Sequence, residues 1–163
     1  MSATLESGTR DTLSQLCQDR ILVIDGAMGA LIFENRPDEA GYRGEQFKNH
    51  PIDLRNCNDL LVLTQPKLIE DIHRQYLEAG ADIIETNTFN ANPVSLKEFQ
   101  VQEHTREINR RAAALARSVA ESFTKKNPDR PRFVAGSIGP SNVMLSMSQN
   151  ADDPAHRTHS FEQ

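Results

Sequence analysis

The chain has 163 residues, 37% hydrophobic and 25% charged, with a formal net charge of −5. A domain of that length can bury a sizeable core, roughly 70% of its unfolded surface, and the acidic balance excludes nucleic acid as the main partner, because phosphate binding wants a basic face. No apolar run approaches the ~20 residues of a membrane span, and the polar N-terminus lacks the apolar stretch of a signal peptide, so cytoplasm is the expected location.

Residues 1–11 read as a flexible polar tail, and residues 12–163 as one incomplete domain. A short helix is expected over residues 12–20, with Leu13, Leu16 and Cys17 on one face. The run Ile21-Leu22-Val23-Ile24 then stops at Asp25-Gly26, and an all-apolar run predicts a strand buried on both faces of a parallel sheet. Residues 33–60 carry no clear period and contain Pro37, Gly41, Gly44 and Pro51, which reads as a long loop with at most one short helix. Thr64-Gln65-Pro66 looks like a helix start, with Thr64 as N-cap and Pro66 in the first turn. Leu68, Ile69, Ile72, Tyr76 and Leu77 recur at helical spacing up to Gly80. A second strand is expected over residues 81–86.

Residues 87–103 read as loop with a helical turn near residues 95–99. A long helix over residues 104–123 carries the stripe Ile108, Ala112, Leu115, Ala116, Val119 and Phe123, and Phe133-Val134-Ala135 makes a third strand. Strand, helix, strand, helix, strand implies parallel strands joined by crossovers.

In such architectures function collects at the C-terminal strand ends. Those ends are Asp25-Gly26-Ala27-Met28-Gly29, Glu85-Thr86-Asn87-Thr88-Phe89-Asn90, and Gly136-Ser137-Ile138-Gly139-Pro140-Ser141-Asn142. A carboxylate there suits an amine or a metal, and Gly-rich turns let backbone N–H groups approach an anion. Asp25 before Gly26 is equally well read as a turn aspartate. Phe89 alone reads as a core ring, and Asn142 as a turn residue. His73 falls off the apolar stripe and is expected at the surface, while His156 and His159 have no companions in register for a metal. Arg106, Arg110, Arg111 and Arg117, balanced by Glu103, Glu107 and Glu121, read as a solvated helix face. Cys17 and Cys57 form neither a disulfide framework nor a CxxC knuckle. The residues by themselves lead to part of an α/β protein with a small polar ligand at its strand ends.

At these same ends the sequence resembles the homocysteine S-methyltransferases. Ile24-Asp25-Gly26-Ala27-Met28-Gly29 is similar to their opening strand motif. Ala79-Gly80-Ala81-Asp82-Ile83-Ile84-Glu85-Thr86-Asn87-Thr88-Phe89 is similar to the second, and Gly139-Pro140-Ser141-Asn142 to the third. Tyr42-Arg43-Gly44-Glu45-Gln46-Phe47 and Asn58-Asp59-Leu60-Leu61-Val62-Leu63-Thr64-Gln65-Pro66 narrow the resemblance to the cobalamin-dependent methionine synthases.

The resemblance implies a (β/α)8 TIM barrel of which only about the first three β/α units are present, since a whole barrel takes ~250 residues. It implies homocysteine as the substrate. The methyl group would come from methylcobalamin, remade from methyltetrahydrofolate on the cobalamin- and folate-binding domains of such an enzyme. It implies Asp25 as the carboxylate receiving the homocysteine ammonium. Gly26, Ala27 and Met28 would line the floor, Thr88, Phe89 and Asn90 the wall, and Ser141 and Asn142 the third strand's mouth. The family's zinc ligands are three cysteines whose positions fall beyond Gln163, as does a second acidic residue for the amine. Neither Cys17 nor Cys57 takes their place, so the chain alone is expected to be catalytically inactive and marginally stable. Two other readings stay open: a betaine- or S-methylmethionine-dependent homocysteine methyltransferase, and a non-catalytic half-barrel that binds a partner. An aldolase of the same barrel type lacks support, because Lys48, Lys67 and Lys97 lie in loops or helix starts rather than at strand ends.

Overall fold

The computed structural model describes residues 3–141, 143–144, 148 and 150–157. Helix α1 runs over Ala3–Asp19, so the first element begins well before residue 12 and most of the stretch expected as a loose tail is helical. Strands β1 (Ile83–Glu85) and β2 (Phe133–Ala135) pair in parallel, Ile83 with Phe133 through Glu85 with Ala135. On the other side of β1, Ile24 forms a parallel bridge with Ile83. The three segments are therefore neighbours in chain order, with β1 in the middle.

The expected first strand is shorter and far more open than its apolar run predicts. Val23 O accepts the amides of Asp82 and Ile83 at 2.7 and 3.1 Å, and Asp25 N donates to Ile83 O at 2.9 Å. Ile21 is nonetheless 88% exposed, and Val23 and Ile24 are each 52% exposed. The run pairs on one side only, and nothing among the described residues covers the other.

The helix before β1 forms where its stripe predicts. Helix α5 covers Pro66–Ala79, with Pro66 in the first turn, where its missing N–H costs nothing. Gly80, at φ 108°, donates to Leu77 O, and Ala81 N reaches back to Tyr76 O, a left-handed cap that favours glycine. Gln65 rather than Thr64 stands at the N-cap, because Thr64 is the last residue of the preceding helix α4 (Leu61–Thr64). Helix α7 (Thr105–Lys126) buries Ile108, Ala112, Ala116 and Val119 of the expected stripe, and Ala120 beside them, against α5 and the strands; Leu115 and Phe123 are half-buried, and the arginines face solvent.

Residues 33–60 are more ordered than their lack of period suggests. Helix α2 (Met28–Asn35) begins directly after the first strand, and α3 (Glu39–Arg43) is capped by Asp38, whose carboxylate accepts Gly41 N at 2.7 Å. The Arg43 guanidinium then gathers the following turn, donating to the carbonyls of His50 and Ile52. Tyr42, Phe47, Leu54 and Leu60 from this region join Ile69, Ile72, Leu96 and Ile108 in the larger core cluster. Between β1 and α7 lie helix α6 (Pro93–Leu96) and two 3-10 turns, close to the expected loop with one helical turn.

His73 is the clearest departure. It is fully buried on α5, and neither ring nitrogen has a hydrogen-bond partner. Burial alone pushes its pKa down to about 4. Helical spacing itself places it there: position 73 lies three or four residues from Ile69, Tyr76 and Leu77, in the middle of the α5 stripe, and only its polar ring set it apart from that stripe in the sequence.

A charge cluster ties the N-terminal ends of the strands together. The fully buried Asp82 carboxylate accepts a bidentate pair from Arg20 at 2.8 and 3.0 Å, Arg130 Nε at 3.0 Å and Val23 N at 3.0 Å. Burial works against the charged form, but these donors outweigh it and hold the carboxyl below its ordinary range. The cluster joins the end of α1, the first strand, β1 and the approach to β2, and lies at the end of the sheet where stability rather than chemistry is expected. Among the described residues no helix is long and apolar enough to cross a membrane.

Candidate substrate-binding site

At the opposite end, the chain leaves each strand through a polar turn. The Asp25 carboxylate faces β1, and both its oxygens lie 3.1 Å from the amide of Glu85. Burial raises its pKa to about 6; the Glu85 N–H opposes the rise and the Glu85 carboxylate adds to it. Gly26 follows, and a Cβ there would stand 3.3 Å from the Tyr76 hydroxyl beneath it. Gly26 and Ala27 are exposed, and Met28 is partly buried as the first residue of α2. Ala27, at the N-cap of α2, offers no side-chain acceptor to the first-turn amides. A half-buried carboxylate thus sits beside the uncapped, positive end of a helix. One suits an ammonium, the other a carboxylate.

After β1 the chain is locked to β2 by a relay of hydroxyls. Ser137 N donates to Thr86 Oγ1 at 3.0 Å, Thr86 Oγ1 lies 2.6 Å from Thr88 Oγ1, and Thr88 Oγ1 donates to Ser137 O at 2.8 Å. Thr88 is buried, and its hydroxyl is committed to this lock. Phe89 is 54% exposed, and its carbonyl accepts Gly139 N at 2.8 Å. A Cβ on Gly139 would fall 2.5 Å from the Phe89 ring, so the third turn comes this close only because position 139 has no side chain. Asn90 is exposed and its amide is bound by Asp59. Ser141 is exposed, with its hydroxyl donating locally to Val143 O at 3.1 Å, and Asn142 lies outside the described residues.

The geometry thus gathers Asp25, Gly26, Thr88 and Phe89 with Gly139 around the strand ends. Several participants had no role assigned from the sequence. Tyr76 reads as an ordinary stripe residue, Asn58 and Asp59 stand in the stretch that narrows the family resemblance, and Ser137 stands in the third motif.

The family's zinc does not fit the described residues. They contain no group of three or more His, Cys, Asp or Glu able to hold a metal ion. Cys57 is 1% exposed within the larger core cluster; burial, and then the charge of Asp59, push its thiol up to about 12, the wrong direction for a thiolate ligand. Cys17 is exposed on α1, near the opposite end of the sheet.

A family model described as homocysteine S-methyltransferase matches residues 22–163. Among solved structures, the oxidized form of the Escherichia coli homocysteine methyltransferase MmuM is 25% identical with a TM-score of 0.56, covering 74% of this chain and 37% of that one. The metallated form of the same protein is 24% identical with a TM-score of 0.59, covering 78% of this chain and 41% of that one. The chain therefore spans well under half the length of these structures. The family match takes in all three strand-end turns, and the chain belongs to the homocysteine S-methyltransferase family.

Proposed function

We propose that this chain forms the first part of a homocysteine-binding (β/α)8 barrel, of the kind found in cobalamin-dependent methionine synthase, and that homocysteine binds at its strand ends. The observation that carries the reading is the Asp25 carboxylate set beside the uncapped start of α2. The substrate's ammonium would pair with Asp25 and its carboxylate with the first-turn amides of α2. Gly26, Ala27 and Met28 form the floor. Phe89 and Asn90 form the wall, with Thr88 fixing it from behind and Ser141 on the third side; Asn142 is assigned to that side by the family resemblance alone.

Three parallel segments in sequential order, with an uncovered first strand, suit the opening units of a barrel. Assignment to the cobalamin-dependent enzymes rests on the stretches 42–47 and 58–66, which pack directly behind the site. Cobalamin and methyltetrahydrofolate would then be bound by other domains of such an enzyme, and zinc by cysteines outside these 163 residues. We assign this chain substrate binding, and no methyl-transfer step to its own side chains. The likeness to MmuM, a homocysteine methyltransferase, supports the homocysteine substrate, and that substrate is shared by a second reading, a betaine- or S-methylmethionine-dependent homocysteine methyltransferase.

Calorimetric titration of L-homocysteine into the purified chain tests the proposal. Saturable binding that disappears in Asp25→Ala supports it. Equal binding by Asp25→Ala removes Asp25 from the site, and no binding by the unaltered chain leaves a half-barrel interaction module as the better reading.

A further inference from the structure

Tyr42, Asn58 and Asp59 do no chemistry at the mouth, yet the fold places them immediately behind it. The Tyr42 hydroxyl, on a buried side chain, donates to Asn58 Oδ1 at 2.8 Å. The Asn58 carbonyl accepts Asn87 Nδ2 at 2.8 Å, and Asp59 Oδ1 accepts the amide of Asn90 at 3.0 Å. Asp59 is only 4% exposed. Among the described residues no cation pairs with it; burial raises its pKa, and the backbone N–H groups of Asn90 and of Asp59 itself oppose the rise without cancelling it. Burying a carboxylate without a cation is costly, and such costs gather at functional sites. What this one obtains is a charge-assisted bond, roughly twice as strong as a neutral one, to a single loop amide.

That amide completes the fixation of the wall. Thr88 and Phe89 are tied toward β2 through Ser137 and Gly139, but those bonds hold the loop on one side only. Asp59 holds the next residue from the opposite side, across 31 positions of sequence. We infer that Asp59 is a positioning residue for the substrate wall: it clamps the loop after β1 so that Phe89 and Asn90 stand at the mouth beside Asp25. The inference rests on the homocysteine-binding reading above, and it gives the segment around residues 58–59 a task in that site.

Two readouts on the purified chain test it, with Asp59→Ala and Asp59→Asn as variants. In hydrogen exchange, the Asn90 amide is expected to be protected in the unaltered chain and at least about tenfold faster in Asp59→Ala, the loss of one charge-assisted bond, while Ile84 and Ile108 keep their protection. In calorimetry, homocysteine affinity should weaken about tenfold in Asp59→Ala and stay within about threefold in Asp59→Asn, whose side-chain oxygen still accepts the bond. Rescue by asparagine separates clamping from general stability. If Asp59→Ala does not fold, Asp59→Asn and Tyr42→Phe carry the same comparison, with Tyr42→Phe expected to speed Asn90 exchange. Unchanged Asn90 exchange, or faster exchange with unchanged affinity, overturns the clamp alone. Absence of homocysteine binding by the unaltered chain overturns the functional reading and the clamp's purpose together.

Discussion

Replacing Asp25 by asparagine should make the protein more stable at neutral pH while abolishing its affinity for homocysteine. In the folded chain the Asp25 carboxyl is pushed up to about 6, mainly by burial. In the unfolded chain it titrates near ~3.9. A carboxyl raised on folding contributes stability that is fully present below the unfolded value and lost as pH rises through the folded one. At pH 7.5 the ionised group therefore works against folding. The gap corresponds to about 3 kcal/mol at full value, and solvent at this half-open mouth brings it to about 1–2 kcal/mol. Asparagine keeps an acceptor for the Glu85 amide and carries no charge, so Asp25→Asn should raise the urea midpoint by roughly 0.5 M at pH 7.5, followed by circular dichroism. The advantage should shrink by more than half at pH 4.5, where the native carboxyl is mostly protonated. An equal or lower midpoint at pH 7.5, or a gain that ignores pH, would refute the argument.

Asp82→Ala should act at the other end of the sheet and in the opposite direction. Removing the shared carboxylate strands three guanidiniums, one of them, on Arg132, only 8% exposed. A loss of about 3 kcal/mol is expected in urea denaturation, at the low end for a broken buried pair because Arg20 and Arg130 stay partly hydrated. Because this carboxyl is depressed on folding, its contribution is present above pH ~4 and lost on acidification; a loss under about 1 kcal/mol would refute a stabilising role for the Asp82 charge cluster. His73→Leu should raise the thermal midpoint at pH 7 by removing two unpartnered buried nitrogens, worth about 1 kcal/mol. The gain should grow toward pH 5. The native imidazole resists protonation down to about 4, so stability falls as pH drops below the ordinary histidine value. Identical stability profiles for variant and parent between pH 5 and 7 would count against it.

Local sequence was enough wherever one residue's neighbours in the chain decide its conformation. The amphipathic period located α5 and α7, Pro66 opened α5, and Gly80 closed it at φ 108°. Apolar runs between turn residues placed β1 and β2. The strand-end turns, with Asp25, Phe89 and Gly139, were visible as motifs because tight turns draw on few residue types. What local pattern could not reach are properties set by partners far away in sequence. The exposure of Ile21, Val23 and Ile24 depends on which strands stand beside them, and an apolar run says only that it wants a partner. Asp59 stood in a family-like stretch with no role assigned to it until the fold brought it within 3.0 Å of the Asn90 amide. Asp82 read as one more residue of a strand motif until Arg20 and Arg130 converged on it from 62 and 48 positions away. Secondary structure follows from steric and hydrogen-bonding preferences that act over a few residues, whereas burial and charge pairing are settled only when the whole chain has closed around them.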